Sequence, residues 1–402
     1  MNNPLPFPDA AIAADARALR GRRVGIVGGG QLGSMLCQAA RKLDVHTTLL
    51  APDPGCPAAR HADELVVGDY GDVSAAEALA ARTDCITFEI ETVSPEVLRR
   101  LADLTRLQRV RVAPDPSVML RLQNKLTQKQ WLRRNGLPIN RFLAWNGHDP
   151  DPGQLGRHFG LPLVQKALTG GYDGRGGQIL KNRAALADLW LQPSLIEACL
   201  TGIRELSVLV ADNGNGEVSV YDPVELEFLD AANILDRVIA PARISRALKR
   251  RAIGIARAVV SRLNTPGLFA IELFALPDDS LLINEISPRV HNSGHHTIEA
   301  CRTSQFEQQL RAVLGAPLGP AGLLTPAITQ NILNDPKLPV GAPARVRGAA
   351  ADTIVHWYGK APDRPWRKLG HVTCLTDDPV LARQRTLTVL SAAADPATRT
   401  GS

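Results

Sequence analysis

The spacing of hydrophobic and polar positions divides the first part of the chain into short strands and intervening helices. Apolar runs typical of buried strands occur at 24–27, 47–50, 64–67, 85–88 and 110–112. Between the first two runs, apolar residues such as Leu32, Leu36 and Leu43 recur at helical spacing. Ser94 followed by Pro95 is typical of a helix start, because serine caps free N–H groups and proline tolerates the first helical position. This alternation predicts a parallel sheet flanked by helices.

The pattern changes to hairpins and one long helix in the second part of the chain. The predicted elements are a helix over 127–134, strands between 142 and 224, a helix over 245–263, strands over 268–276 and 281–286, strands near 328, 354 and 372, and a helix over 379–390. Gly, Asp and Asn cluster between many of these strands, which is typical of hairpin turns. These segments predict a second, sheet-rich part of the fold.

A glycine-rich stretch, TGGYDGRGG at 169–177, is the most specialised segment of the chain. Five glycines carry a high entropic cost, and they allow successive backbone N–H groups to face phosphate oxygens. Arg175 adds a planar cationic fork, and Lys166 ends the preceding predicted strand. The stretch therefore predicts the tip of a hairpin that covers phosphates. The alternative interpretation is a long flexible hairpin without a ligand.

Two glutamates on neighbouring apolar strands predict a metal site. If Leu276 and Leu281 flank the turn between these strands as partners, antiparallel register places Glu272 opposite Glu285, with Cβ atoms roughly 5 Å apart. Opposed like charges are unfavourable unless a cation lies between them, and Mg²⁺ with phosphate oxygens is the usual arrangement. Asn284 alternates to the other face unless a bulge turns it. The alternative is that one glutamate is an ordinary surface residue.

The loop after these strands concentrates hydrogen-bond donors. It includes Arg289, His291, Asn292 and two further histidines. Zinc is a weaker interpretation, because the spacing lacks the usual third ligand. We expect this loop to bind an anion or a polar ring beside the metal.

The segment Gly28-Gly-Gly30-Gln-Leu-Gly33 follows a strand and opens a helix, and Asp53 lies twenty residues after Gly33. This is the dinucleotide-binding pattern, so a nicotinamide-dependent dehydrogenase is an alternative function. A glycine turn at a helix N-terminus needs only one phosphate, however, and a mononucleotide would satisfy it. A non-catalytic nucleotide sensor is a third alternative, which the paired glutamates disfavour.

Composition narrows the class of partner. The chain has 402 residues, is 45% hydrophobic, and carries a formal net charge of +6 with aromatic content of only 4%. Excess base with few aromatic rings favours small phosphorylated substrates over nucleic acid. We find neither an apolar run long enough to cross a bilayer nor a secretory signal pattern. The six scattered cysteines form no CxxC pair, so a cytoplasmic location is expected.

These motifs resemble the ATP-grasp superfamily, and more narrowly the N5-carboxyaminoimidazole ribonucleotide synthetases of purine biosynthesis. The resemblance runs nearly end to end through GGGQLG at 28–33, LTQKQ at 126–130, Lys166 with GGYDGRGG, Glu272, Asn284-Glu285, SPRVHNSGHHT at 287–297, HWYGK at 356–360 and RKLGH at 367–371. The formate-dependent glycinamide ribonucleotide enzymes are near relatives, but the HNSGH, HWYGK and RKLGH segments resemble the carboxylating enzymes.

The resemblance implies an ATP-grasp fold of mixed α/β and α+β class. Its expected parts are a Rossmann-like parallel-sheet domain (1–120, with 1–21 as an extension), a lid subdomain (121–195), a core with a large mixed sheet (196–320) and a β-rich C-terminal subdomain (321–402). The implied reaction is carboxylation of 5-aminoimidazole ribonucleotide with ATP and bicarbonate, through carboxyphosphate and CO₂. Mg²⁺ is the implied metal, with Mn²⁺ as an alternative. A homodimer and a hand-off of product to the downstream mutase are also implied.

The resemblance also assigns site residues. The implied catalytic residues are Tyr172, Asp173, Arg175, His291 and Asn292. The implied ATP ligands are Lys125, Lys166, Gly171, Gly174, Gly176, Gly177, Glu197, Leu200, Glu205, Glu225 and Asn284. The implied ribonucleotide ligands are Gly30, Gln31, Leu32, Glu89, Lys360, Arg367 and Lys368. The implied metal ligands are Glu272 and Glu285. One departure is Lys125, which stands where the family often has arginine and lacks its planar fork.

Overall fold

The computed structural model describes residues 18–147, 153–171, 176–229, 233–336 and 351–394. Four predicted site residues, Tyr172, Asp173, Gly174 and Arg175, lie outside the described residues. Most of the predicted N-terminal extension also lies outside them.

The first sheet is parallel, as the alternating pattern predicts. Its strands are β1 (Arg23–Val27), β2 (His46–Ala51), β3 (Glu64–Val67), β4 (Cys85–Phe88) and β5 (Arg111–Val112). The helices of this part are α1 (Gln31–Lys42), α2 (Val73–Ala80), α3 (Pro95–Arg106), α4 (Pro116–Leu122) and α5 (Lys125–Arg134). The strand order β3-β2-β1-β4-β5 reverses direction between β1 and β4. The carboxyl ends of these two strands therefore form a topological switch point, which is where open α/β sheets bind ligands.

A four-stranded antiparallel sheet forms the lid. It comprises β6 (Phe142–Trp145), β7 (Leu163–Ala167), β8 (Gly177–Leu180) and β9 (Ser194–Ala198), with helix α6 (Gly153–Phe159) beside it. The pairing of β7 with β8 brings Lys166 opposite Gly177, so the glycine-rich stretch does connect two strands of a hairpin. The lid boundary predicted at residue 195 falls inside β9, whose pairing with β6 and β7 extends the lid to Ala198.

The largest sheet has nine strands and is antiparallel rather than mixed. Its strands are β10 (Arg204–Asp212), β11 (Val218–Val220), β12 (Val224–Leu229), β13 (Ile234–Ala240), β14 (Gly267–Ala275), β15 (Leu281–Ser287), β16 (Ala327–Leu333), β17 (Thr353–Trp357) and β18 (Lys368–Cys374). Several of its neighbouring strands follow each other in the chain through tight turns, which only antiparallel pairing allows. Because β16 pairs with β13, the C-terminal strands extend this central sheet instead of forming a separate one.

Helices cover both faces of the central sheet. The remaining helices are α7 (Arg246–Leu263), α8 (Thr297–Ala300), α9 (Gln305–Leu314) and α10 (Pro379–Ala394). Helix α7 packs Leu248 and Val259 against Leu206 and Ile271 of one face. Helix α9 packs between the other face and α1, which joins the central sheet to the parallel sheet.

Among the described residues, no helix combines the length and the apolar character needed to cross a bilayer.

Candidate active site

The two strand glutamates face each other, as the hairpin register predicts. Glu272 of β14 pairs directly with Glu285 of β15. The register near the turn is nevertheless one residue away from the predicted one, because Ala275 rather than Leu276 pairs with Leu281. A β-bulge beside Glu272 restores the alignment of the two carboxylates.

The same bulge turns Asn284 toward the carboxylates. Its Nδ2 donates to Glu272 Oε2 at 3.3 Å, and its Oδ1 accepts a hydrogen bond from Lys166 Nζ at 3.1 Å. Regular alternation would direct Asn284 to the other sheet face, but the bulge brings its side chain into the site. It connects the strand glutamates to the lid lysine.

The surroundings shift the pKa values of the two carboxyl groups in opposite directions. Burial, together with the neighbouring carboxyl groups of Glu285 and Glu205, raises the pKa of Glu272 to about 7. Burial also acts on Glu285, but Lys125, whose Nζ lies 2.7 Å from Oε2, outweighs burial and lowers the pKa of Glu285. A cation at Glu272 would relieve this mutual repulsion. The oxygen-only donor set of two carboxylates and an amide suits Mg²⁺.

A metal cage made by the protein alone is not present in the described ranges. Among these residues, no group of three or more His, Cys, Asp or Glu side chains is placed to hold a metal ion. Mg²⁺ usually keeps several waters and binds through one or two carboxylates together with substrate phosphates. The pair of strand glutamates fits that mode of binding.

Two lysines converge on the carboxylate of Glu197 in the lid strand β9. Lys166 Nζ lies 2.7 Å from Oε2, and Lys129 Nζ lies 2.8 Å from Oε1. Burial by itself would raise the pKa of Glu197, but the two ammonium groups outweigh burial and lower it to about 2. The carboxylate is therefore engaged by lysines, and the contact of Glu197 with adenine and ribose stays a prediction.

Sequence reasoning missed Lys129, although its spacing contained a signal. Lys125, Gln128, Lys129 and Leu132 recur at helical spacing on α5 and share one face. Gln128 and Lys129 are buried, and Gln128 binds the backbone of Ile286 through both amide atoms. Buried polar residues at helical spacing indicate a helix face that supports a site.

Apolar side chains lie on the two sheet faces that the contact between Lys166 and Asn284 brings together, and the region between these faces is called the slot. In the lid, Val164 pairs with both Ile179 and Glu197, so all three side chains share the face that carries Lys166. Ile179 remains 54% exposed on that face. The sequence analysis did not single out either apolar residue of the lid.

The central sheet presents a matching apolar pair. Phe274 pairs with Leu282 and with Glu205, on the sheet face that carries Glu272. Burial raises the pKa of Glu205 to about 7, against the opposing effect of Lys166. The slot thus has apolar walls with a carboxyl group at one side, which suits a planar base joined to a polar sugar.

His291 lies beside Glu272 and is held by Ser293, which in turn contacts Ser207. Its Nε2 is 3.5 Å from Glu272 Oε1, while its Nδ1 accepts from the backbone N–H of Ser293 at 3.3 Å. Ser293 Oγ also lies 2.9 Å from Nδ1 and 2.8 Å from Ser207 Oγ. Burial holds the pKa of His291 well below its usual value. The ring is therefore neutral, with its proton on Nε2 facing the carboxylates.

Asn292 does not face the site. Its side-chain amide forms a reciprocal pair of hydrogen bonds with the amide of Asn331, at 3.0 and 3.1 Å. Asn331 also donates to the backbone oxygen of Leu235. Both side chains are buried, so this contact corrects the predicted catalytic role of Asn292 to a structural one that secures the loop to β16.

The glycine turn lies at the switch point and is occupied by a carboxylate of the protein itself. Gly30 N donates to Glu89 Oε1 at 2.5 Å, and Gly29 N donates to Tyr70 Oη at 3.2 Å. A Cβ on Gly28, which has φ of +123°, would lie 2.3 Å from Glu89 Cγ. The glycines thus make room for Glu89, whose pKa burial raises to about 7. This explains the dinucleotide-like pattern without a dinucleotide.

A lysine from the C-terminal strands reaches the start of α1. Lys360 Nζ donates to Gln31 Oε1 and lies 5.8 Å from the ring centroid of Tyr358. Arg60, which the sequence analysis did not single out, lies against Gly359, where a Cβ would be 1.9 Å from Arg60 Nη2. The fold therefore gathers cationic groups at a helix N-terminus, which is favourable for an anion.

The other two predicted cations of this region differ in their surroundings. Arg367 forms an ion pair with Asp363, so its charge is partly neutralised. Lys368 begins β18 and is buried. Of the three predicted cations, Lys360 is the one that the structure brings to Gln31.

An ion pair joins the segment after β4 to the loop after β15. Arg289 Nε lies 2.8 Å from Glu91 Oε1, which follows β4. The neighbouring carboxylate of Glu91 outweighs burial and raises the pKa of Arg289. The contact holds the two halves of the site next to each other.

Two further predicted ATP ligands, Leu200 and Glu225, lie outside the lid sheet. Leu200 lies between β9 and β10, at the connection between the lid and the central sheet. Glu225 pairs with Leu206, whose side chain packs toward α7, so Glu225 lies on the opposite sheet face from Glu205. The strand register corrects the prediction that Glu225 contacts the nucleotide.

The HWYGK, RKLGH and HNSGHH segments meet in a buried stack of imidazoles. His371 stacks between His295 and His356, with ring centroids 4.5 and 4.6 Å away. Tyr358 Oη lies 2.8 Å from His371 Nδ1, and Glu299 Oε1 lies 2.6 Å from His356 Nε2. Burial, reinforced by neighbouring imidazoles, holds the pKa values of His295 and His371 well below their usual range.

We expect this stack to make the protein acid-sensitive. These imidazoles are neutral in the folded state and become charged in the unfolded state. The free energy of unfolding therefore falls as pH drops below about 6.5. His371→Phe keeps an aromatic ring but removes one titrating group. The stability difference between wild type and this variant should shift by about 1 kcal/mol between about pH 7.5 and about pH 5.5. Urea unfolding at both pH values measures it, and a pH-independent difference would contradict the expectation.

The sequence matches the models of three protein families. These are the ATP-grasp domain over residues 130–306, the ribonucleotide synthetase preATP-grasp domain over residues 22–123, and the phosphoribosylaminoimidazole carboxylase C-terminal domain over residues 327–385. The preATP-grasp match covers the parallel sheet, the ATP-grasp match covers the lid sheet and strands β10 to β15, and the C-terminal match covers strands β16 to β18.

Curated relatives cover most of the chain. The N5-carboxyaminoimidazole ribonucleotide synthase of Synechococcus elongatus is 38% identical over 359 residues, which is 88% of this chain and 89% of the relative. The enzyme of the same name from Bacillus subtilis is 34% identical over 359 residues, covering 88% of this chain and 91% of the relative.

Solved structures show the same fold. A carboxyaminoimidazole ribonucleotide synthase from Aspergillus clavatus, complexed with ATP, has a TM-score of 0.82 and 32% identity over 94% of this chain and 99% of that chain. The same enzyme with ADP and 5-aminoimidazole ribonucleotide has a TM-score of 0.79 and 32% identity over 93% and 99%. The Thermotoga maritima synthetase has a TM-score of 0.80 and 36% identity over 91% and 97%.

Proposed function

This chain belongs to the N5-carboxyaminoimidazole ribonucleotide synthase family of the ATP-grasp superfamily, and we propose that it catalyses the ATP-dependent carboxylation of 5-aminoimidazole ribonucleotide. The products are N5-carboxyaminoimidazole ribonucleotide, ADP and phosphate, in purine biosynthesis. The observation that carries the proposal is the opposition of Glu272 and Glu285 beside a lid hairpin that delivers Lys166 to Asn284.

The reaction proceeds in three bond-changing steps. A bicarbonate oxygen attacks the γ-phosphorus of ATP, and the bond from that phosphorus to the ADP oxygen breaks. The carboxyphosphate so formed splits into CO₂ and phosphate. The exocyclic amine of the ribonucleotide then attacks the carbon of CO₂ and loses a proton. Retention of CO₂ requires a site that excludes water, which a lid provides.

The nucleotide fits between the lid and the central sheet. The apolar walls formed by Val164, Ile179, Phe274 and Leu282 suit the adenine ring, and the carboxyl group of Glu205 suits the ribose hydroxyls. Lys125 and Lys166 lie at the end of this slot beside the glutamates.

Glu272 and Glu285, with Asn284, would hold Mg²⁺. When bound, the ion would neutralise charge on the phosphates during phosphoryl transfer. His291 presents its Nε2 proton toward the same point and is placed to donate a hydrogen bond to an anionic oxygen there. We therefore propose a donor role, rather than a base role, for His291.

The ribonucleotide fits at the switch point of the parallel sheet. Its phosphate suits the start of α1, where Gln31 meets Lys360. Glu89, already bound to the Gly30 N–H, is placed to accept a hydrogen bond from a ribose hydroxyl. Gly30 and Leu32 belong to the same turn and first helical residues.

The remaining parts of the proposal rest on the family resemblance. They include the catalytic roles of Tyr172, Asp173 and Arg175, and the phosphate contacts of the glycines at 171, 174, 176 and 177. They also include bicarbonate as the carbon source, Mn²⁺ as an alternative metal, a homodimer, a cytoplasmic location and a hand-off of product to the downstream mutase.

An assay of ADP formation tests the function directly. We expect the full rate only when ATP, bicarbonate and 5-aminoimidazole ribonucleotide are all present, with Mg²⁺. Hydride transfer to a nicotinamide dinucleotide should be absent. A rate of ADP formation that is the same with and without the ribonucleotide would overturn the proposal.

A further inference from the structure

A buried cluster of three charges lies where the lid meets the central sheet. Its members are Lys129 of α5, Lys166 of β7 and Glu197 of β9. The side chains of Lys129 and Glu197 are each only 3% exposed, whereas the Lys166 side chain is 21% exposed. Lys129 is thus nearly closed off from solvent, and its direct charge contact within the cluster is with Glu197.

The contacts of Lys129 connect the lid to the central sheet. Its Nζ lies 2.8 Å from Glu197 Oε1 in the lid and donates to the backbone oxygen of Ile283 in β15 at 3.2 Å. Ile283 precedes the bulge residue Asn284, which in turn accepts from Lys166. Lys129 thus connects the lid to strand β15 and helps to hold Lys166 next to Asn284.

The net charge of the cluster indicates a role for Lys129. One lysine paired with one buried glutamate would form a neutral pair, and Lys166 would then have no net charge to offer phosphates. A second lysine on the same carboxylate gives the cluster a net charge of +1, which is the sum of two ammonium groups and one carboxylate. The excess charge resides at the exposed end of the cluster, on Lys166.

We propose that Lys129 is a positioning residue for nucleotide binding: it neutralises and anchors Glu197, so that Lys166 remains a net cation directed at the triphosphate. This inference rests on the proposed function for the identity of the nucleotide. It concerns a buried residue whose charge partner is Glu197, and it assigns Glu197 to the support of Lys166.

The test compares Lys129→Met with Lys129→Arg. We expect Lys129→Met to raise the KM for ATP and the Kd for ADP by about tenfold or more, because loss of one charge contact is worth about 1–3 kcal/mol. The KM for 5-aminoimidazole ribonucleotide should change by less than about twofold, since that site lies at the parallel sheet. Lys129→Arg retains the charge and should recover most of the ATP affinity.

The double variant Lys129→Met/Glu197→Gln provides the decisive measurement. It removes one positive and one negative charge, so Lys166 regains a net charge without a buried unpaired carboxylate. Calorimetric ADP binding by the double variant should be tighter than by Lys129→Met and within about fivefold of wild type. A double variant that binds ADP as weakly as the single variant would overturn the proposal.

A lid variant without a charge change separates positioning from stability. Gln165 is fully buried in β7 and bonds to Ser194 and Trp190. Gln165→Leu should lower the melting temperature and leave the Kd for ADP near that of wild type. If Gln165→Leu weakens ADP binding as much as Lys129→Met, the effect is structural and the proposal fails. If wild type binds ADP but does not need the ribonucleotide for ADP formation, the proposed function fails and the Lys129 result stands.

Discussion

Replacing Glu285 with glutamine should reduce kcat by about 10³-fold, because a metal-bound phosphoryl transfer loses several kcal/mol of charge stabilisation when a carboxylate ligand is removed. Lys125 lowers the pKa of Glu285, whereas burial raises the pKa of the opposite carboxyl group, Glu272, to about 7. The same change should lower the apparent affinity for Mg²⁺. The measurement is ADP formation over a Mg²⁺ titration, with Glu272→Gln tested beside it.

Glu225→Gln is a matched control for this experiment. Glu225 belongs to the same central sheet but lies on the opposite face from Glu272, so its loss should leave kcat and Mg²⁺ affinity near the wild-type values. A Glu285→Gln enzyme with wild-type kcat would remove the metal assignment. A large loss in Glu225→Gln would show that the register argument for this residue is wrong.

Replacing Lys166 with methionine should lower kcat/KM for ATP by about 10²- to 10³-fold, since a lysine that contacts phosphates stabilises both the bound nucleotide and the transferring group. Lys166 lies on the lid hairpin and binds Asn284 beside the paired glutamates. The KM for 5-aminoimidazole ribonucleotide should change little. Steady-state kinetics with each substrate varied in turn distinguishes the two effects.

Lys181→Met is the corresponding lid control. Lys181 directly follows β8 and is exposed, so its removal changes the charge of the lid without touching the slot. We expect its kcat/KM for ATP to stay within about twofold of wild type, as for most surface substitutions. Equal losses in the two variants would mean that the lid acts through its overall charge rather than through Lys166.

Local patterns predicted much of this protein because they depend on neighbours in the chain. The alternation of apolar strands and helices predicted the parallel sheet, and Ser94 does cap its helix by accepting from Val97 N. The short turn after Ala275 made β14 and β15 a hairpin, so the opposition of Glu272 and Glu285 followed from strand geometry. The glycine-rich stretch likewise connects two paired strands.

Such local patterns could not predict contacts between segments that are distant in the sequence. The glycine turn and Glu89 are separated by 59 residues, and neither segment signals that a carboxylate fills the turn. Asn292 and Asn331 satisfy each other across 39 residues, which removes Asn292 from the site. Lys360 and Gln31 meet across 329 residues.

The sequence by itself determined the strand and helix order, the glycine-rich hairpin and the facing glutamates, because each follows from backbone periodicity and short turns. Only the tertiary structure decided which polar groups serve the site and which satisfy one another. A buried polar group must find a partner wherever the fold supplies one. For Lys129, Glu89, Asn292 and the imidazole stack, that partner came from another part of the chain.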